Sequence, residues 1–186
     1  DGEGFNTLFS GHAALMIFLV VIPAFAGLAN FILPIMIGAK DMAFPQLNAL
    51  SVWMLPPAGL MILAGIVLGG YSSGWTAYTP LASQAGTGTT LFEVGVQFAG
   101  ASSIMTAVNF LVTIITMRAP GMTVWRMPLL VWANATTSAL VVFGTPFIAG
   151  SQFMTLFDRV MGTHFFDWTA GGDVIRMPSP SSVFAL

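Results

Sequence analysis

Thirty-six consecutive residues between Glu3 and Lys40 carry no fixed charge. Similar gaps run from Asp41 to Glu93 (51 residues), Glu93 to Arg118 (24) and Arg126 to Asp158 (31). A bilayer-crossing helix needs about 20 predominantly apolar residues. Lipid accepts only backbones whose polar groups are satisfied internally. Charged residues make up 6% of the chain, against about 25% in soluble domains. The class that follows is an integral membrane protein. Transmembrane β-strands would show short alternating segments, which this pattern lacks. With no cysteine, disulfides and thiolate ligation of haem or clusters are excluded. Nothing points to nucleic acid.

The pattern predicts an all-α membrane bundle of four spans, at about 5–37, 48–68, 91–117 and 128–157. Pro23 and Pro34 should bend the first, Pro56 and Pro57 the second, and Pro146 the fourth. No initiator methionine or charged leader precedes the first span, so the chain reads as a segment of something longer, without a signal peptide. Lysine and arginine set orientation. Lys40, Arg118 and Arg126 follow the first and third spans, which places those connections inside; Arg159 and Arg176 argue weakly the other way.

His12 stands inside the first charge-free run. An ionisable residue in hydrocarbon is costly and is by default functional, and imidazole ligates metals, haem iron included. The alternative is a histidine bonded to a neighbouring helix. Asn30 lies roughly 27 Å further along a helix that rises 1.5 Å per residue, near the inner face. Asp41 follows in the inner connection and Asn48 begins the next helix. On the third span Ser102, Thr106, Asn109, Thr113 and Thr116 fall within an arc of about 80°, with Ser103 off it. Asp41, Asn30, Asn48, Asn109 and Ser102 can thus form a polar column from the inner surface to mid-membrane. Plainer readings stand beside each. Asp41 caps a helix; the stripe makes interhelical bonds or bonds back to its own helix. Trp75 and Tyr78 are interfacial anchors, Glu93 a solvated helix end and His164 a surface side chain.

The motifs Gly11–Phe18, Ile37–Pro45, Gly74–Tyr78, Ala99–Ser103, Met117–Met122, Phe165–Asp167 and Gly171–Asp173 occur in order. On these the chain resembles subunit I of the haem–copper respiratory oxidases over nearly all of residues 5–174. The spans resemble the second to fifth helices of a subunit with twelve or more. The resemblance implies that His12 is one axial ligand of a low-spin haem. It implies that Asp41 is the mouth of a proton channel, with Asn30 and Asn48 as its lower asparagines. Ser102, Ser103 and Asn109 match its upper lining, and Trp75 and Tyr78 match outer-loop residues near the haem propionates.

The parent activity so implied is terminal oxidation: oxygen reduced to water, with proton uptake and pumping. Cytochrome c or quinol is the electron donor, and subunits II and III and membrane lipid are the partners. The setting is a bacterial cytoplasmic membrane or the mitochondrial inner membrane. The high-spin haem and copper ligands belong to parts of the family absent here, so the isolated chain is expected to be inactive. Lys40, Gln46, Ala49, Thr79 and Gln97 depart from common family residues, and Gln97 also occurs in quinol-oxidising members. Residues 1–174 read as a partial subunit I domain and 175–186 as a divergent tail. The competing classes are a non-catalytic membrane fragment or haem-binding assembly partner, and a transporter whose polar column conducts solute.

Overall fold

The computed structural model describes residues 2–79, 81–84, 86–167 and 172. Part of the Gly171–Asp173 motif, Arg176 and the tail from 175 lie outside them. Among the described residues the chain is helical without strands. Four rods are long and apolar enough to cross a membrane: Gly4–Ile37, Pro45–Val67, Thr87–Thr116 and Leu129–Val160.

The first rod comprises α1 (Gly2–Leu15), a π-helical turn (Met16–Val21) and α2 (Ile22–Ile37). Pro23 explains the wide turn. It has no N–H to offer the preceding turn, and its ring crowds the carbonyl four residues back. Ile22 N–H instead reaches Ile17 O, five residues back. The rod stops at Gly38, whose φ of 73° is the left-handed conformation that glycine tolerates. Ala39 N–H then bonds Pro34 O at 2.9 Å, closing a Schellman turn.

The second rod is α3 (Pro45–Trp53) followed by α4 (Leu55–Val67), with the change of helix at Met54. Pro56 and Pro57 cannot donate to Val52 and Trp53, so the ladder breaks where expected. A short helix α5 (Leu81–Gln84) precedes α6 (Thr87–Thr116), and a 3-10 turn at Val124–Arg126 precedes α7 (Leu129–Val160). Pro146 sits within α7 without ending it. Helix α6 starts four residues before the hydropathy boundary at 91. Gly88 and Thr89 are buried there, held by packing that a hydropathy window does not register.

The rods run antiparallel, and α6 is the hub. Of its most apolar window 39% is buried within the chain, against 6%, 28% and 11% for the other three rods in chain order. Glycines allow the closest approach. A Cβ on Gly65 would lie 2.7 Å from Gly88 O, and one on Gly95 2.9 Å from Ala58 O. Small residues at helix crossings in lipid serve this purpose. One buried apolar cluster, with Leu33, Ile37, Phe110 and Val131, closes the Asp41 end. A second, with Ala14, Ile62, Tyr71 and Phe92, closes the His12 end.

Candidate functional site

At the Asp41 end the connection from α2 to α3 is gripped by α6. Asn109 is fully buried. Its Oδ1 accepts from Phe44 N–H at 2.9 Å, and its Nδ2 donates to Phe44 O at 3.2 Å. One turn on, Thr113 Oγ1 accepts from Ala43 N–H at 2.9 Å and donates to Asn109 O at 2.6 Å. Phe44 is the residue before α3 and no side chain of its own segment caps that helix. Asn109 therefore pairs, from across the bundle, both backbone groups of the residue at the start of α3. Asp41 is exposed, and its Oδ1 accepts from Met42 N–H at 2.7 Å. That bond stays within the connection, so Asp41 is not the cap of α3.

The amide oxygens of Asn30 and Asn48 are buried without a donor among the described residues. Asn30 Nδ2 bonds back to Ala26 O at 2.9 Å. Towards mid-bundle, buried Ser102 donates to Ser51 O at 2.6 Å, and Ser51 Oγ donates to Asn48 O at 2.8 Å. Asn48, Ser51 and Ser102 are thus joined in series. Ser103 bonds back to Ala99 O and Thr116 to Val112 O, which removes Thr116, itself exposed, from the interhelical set.

At the other end His12 is exposed. Ser10, Gly11 and Ala14 on the same turns are buried against the bundle. Leu8, Phe9 and Met16 flank the imidazole and are exposed as well. Tyr71 and Gly74 fasten the connection 68–79 to α1: Tyr71 OH donates to Ser10 O at 2.9 Å, and Gly74 N–H donates to Ser10 Oγ at 3.1 Å. Burial pushes the Tyr71 phenol above its ordinary range. Trp75 meets Phe18 edge-on, with ring centres 6.3 Å apart, and Tyr78 is exposed. Between them Ala77 adopts φ 49°, a left-handed conformation costing about 1–2 kcal/mol in an L-residue. His164 is an exposed side chain, 3.5 Å from Asp167.

Glu93 corrects the sequence reading: it is fully buried rather than a solvated helix end. Arg159, from α7, lies beside it with Nε 3.9 Å from Oε2. Arg159 also binds Thr90 Oγ1 and the carbonyls of Ala82, Ser83 and Gly86. Hydropathy gave no hint of this pair. The available signal was 66 residues of separation between two charges, one at each hydrophobic boundary.

The architecture defines a multi-pass helical membrane protein with a single exposed intramembrane histidine at one end and a polar, amide-lined connection at the other. The chain belongs to the cytochrome c and quinol oxidase polypeptide I family, whose model matches residues 1–177. It is 43% identical to cytochrome c oxidase subunit 1 of Thermostichus vulcanus over 94% of this chain and 32% of that protein. It is 44% identical to a putative cytochrome c oxidase subunit 1-beta of Streptomyces coelicolor, over 94% of this chain and 31% of that one. Against the quinol oxidase subunit 1 of Bacillus subtilis the identity is 40%, over 92% and 27%. The chain spans about a third of the length of the curated relatives it matches.

Proposed function

We propose that this chain is the part of a terminal oxidase subunit I that holds one side of a low-spin haem and admits protons from the opposite face. The whole-enzyme activity is reduction of oxygen to water with electrons from cytochrome c or quinol. It takes place in a bacterial cytoplasmic or mitochondrial inner membrane, together with subunits II and III. His12 fits the haem ligand role. It presents an imidazole on an exposed apolar stripe, where a flat hydrophobic group can lie against Leu8, Phe9 and Met16. A bound low-spin haem supplies one-electron transfer. Trp75 and Tyr78 can donate an indole N–H and a phenol O–H to its propionates. The chain has two histidines, so the second haem ligand and the high-spin haem and copper ligands are assigned to the rest of the subunit. The chain by itself is then inactive in oxygen reduction.

The observation that carries the proton role is the pair of buried, donorless amide oxygens on Asn30 and Asn48. Buried polar atoms are as a rule satisfied, by ordered water if not by protein. Two such acceptors on the α2 and α3 sides of Asp41 supply places for a water chain, and the Asn48–Ser51–Ser102 series extends it. In this reading Asp41 exchanges protons with bulk water and Asn109 holds its connection in place. The orientation is supported as well: Arg159 is buried and bonded, so it drops out of the surface charges that set topology. Lys40, Arg118 and Arg126 remain on the Asp41 side.

The test uses the complete subunit. His12→Ala should abolish the low-spin haem signal in optical and magnetic spectra. Asp41→Asn should leave that signal intact and sharply slow proton uptake and turnover. Wild-type proton pumping in Asp41→Asn, or an unchanged spectrum in His12→Ala, rejects the corresponding role.

A further inference from the structure

Glu93 lies two turns into α6 at the His12 end, is fully buried, and neither of its oxygens has a hydrogen-bond donor among the described residues. The charge beside it is Arg159, whose Nε stands 3.9 Å from Oε2, too far for a hydrogen bond. The guanidinium is committed elsewhere. Nε and Nη2 bond Thr90 Oγ1 at 3.0 and 2.9 Å. Nη1 bonds Ala82 O at 2.6 Å and Ser83 O at 3.3 Å, and Nη2 bonds Gly86 O at 2.6 Å. Arg159 therefore provides compensating charge to Glu93 but no proton.

A buried carboxylate with empty lone pairs is costly, and proteins relieve the cost with a proton or with water. Thr89, one turn before Glu93 on the same face, is also fully buried with its hydroxyl unpartnered, and at this end the Oγ of the less deeply buried Ser73 has no partner among the described residues either. We propose that Glu93 is an internal proton-exchange site, holding water molecules together with Thr89. The carboxylic O–H bond breaks, the proton joins a water molecule as hydronium, and the electron pair stays on the carboxylate, whose charge Arg159 balances. The reverse step restores the acid.

Among the described residues, the charged side chain placed beside Glu93 is Arg159; Glu3, on α1, is another acidic residue of the helices at this end. Helices α2, α3, α4 and α5 contain no ionisable side chain. Tyr71, from the connection 68–79, stacks its ring on Phe92 at 4.1 Å but donates its hydroxyl to Ser10 O. Asp158, next to Arg159 on α7, accepts from Thr163 Oγ1 and from the N–H groups of Phe165 and Phe166. His12 is on the exposed side of α1. The site is independent of the roles assigned to His12 and Asp41.

Infrared difference spectra of the complete subunit, wild type minus Glu93→Gln, test the proposal in H2O and D2O from mildly acidic to mildly alkaline pH. The expected result is a carboxylic-acid C=O band lost in Glu93→Gln. In wild type it shifts down in D2O and weakens as pH rises. No such band at any pH, or a band indifferent to both D2O and pH, overturns the proposal. Should Glu93→Gln fail to assemble, Thr89→Val provides the check. Loss of the hydroxyl should shift the frequency of a D2O-sensitive acid band, and an unshifted spectrum overturns the shared site.

Discussion

Replacing Arg159 with leucine removes the clasp that ties α7 to α6 and to the connection carrying α5. The side chain of Arg159 is 7% exposed and that of Glu93 0%, so solvent screening offers little relief. Removing one partner of a buried ion pair costs about 3–5 kcal/mol. Ala82 is fully buried, and its carbonyl loses a donor at 2.6 Å, a further ~1–3 kcal/mol. Gly86 is exposed and Ser83 half-buried, so water can replace their bonds cheaply. Because the two groups stand 3.9 Å apart without a hydrogen bond between them, the low end of the sum applies, about 4 kcal/mol. The assay is denaturant unfolding of the detergent-solubilised complete subunit for wild type, Arg159→Leu, Glu93→Gln and the double variant. Adding Glu93→Gln to Arg159→Leu should recover roughly 1–3 kcal/mol as the pair's coupling energy. A loss below about 1 kcal/mol, the level of an exposed pair, or zero coupling in the cycle, refutes the reasoning.

At the Asp41 end, Thr113→Val and Asn109→Ala each remove an acceptor for a backbone N–H of the connection. Amide hydrogen exchange at Ala43 and Phe44 should then speed up by about tenfold, the equivalent of ~1.4 kcal/mol. Thr113→Ser should keep wild-type protection, and unchanged exchange in Thr113→Val would show that the connection holds without α6. Tyr71→Phe should cost about 1 kcal/mol through the lost bond to Ser10 O. The phenol also gives a pH signature. An unfolded tyrosine ionises near pH ~10 while the buried one keeps its proton to higher pH. The unfolded state thus loses protons first, and stability falls as pH rises above that value. That alkaline slope should be shallower in Tyr71→Phe; identical slopes would dismiss the phenol as its source.

The rods were legible in the sequence because lipid imposes one demand, and charge-free length expresses it directly. The stripe on α6 was legible in part: Ser102, Asn109 and Thr113 are buried and face other elements, while Thr106 is half-buried and Thr116, on the same spacing, is exposed and bonds back to Val112 O. What periodicity does not carry is the partner of each group. Asn109 could be placed on an inward face but not matched to the backbone of Phe44, 65 residues away. Glu93 read as a solvated end because it borders an apolar run, yet Tyr71 stacks on the adjacent Phe92 and Arg159 reaches in from α7. The π turn at Met16–Val21 was also hidden. Pro23 signalled a bend, and whether the helix answers with a kink or a wider turn depends on packing.

Helix α6 shows why its polar groups form two systems. Thr89, Glu93 and Gln97 recur every four residues at the His12 end, and this face meets α7: Gln97 Nε2 donates to Ala149 O at 3.3 Å and to Gln152 Oε1 at 3.4 Å, while Arg159 stands by Glu93. Ser102 and Asn109 face α3 and the connection before it. From Gln97 to Ser102 the helix turns by about 140° beyond a full turn, at 100° per residue. The polar line therefore changes sides near mid-bundle, where Ser103 is bonded back to its own helix. In the proposed water chain the polar groups of α6 that follow Asp41 reach Ser102 on the α3 side, and the face that carries Glu93 is turned away from them. Under that proposal, a proton crossing from one end to the other leaves α6 at that depth for groups on other helices. Two half-depth polar systems on opposite faces of one helix would keep the ends from short-circuiting along it. Transfer between them would then depend on what is packed against the exposed sides of this bundle.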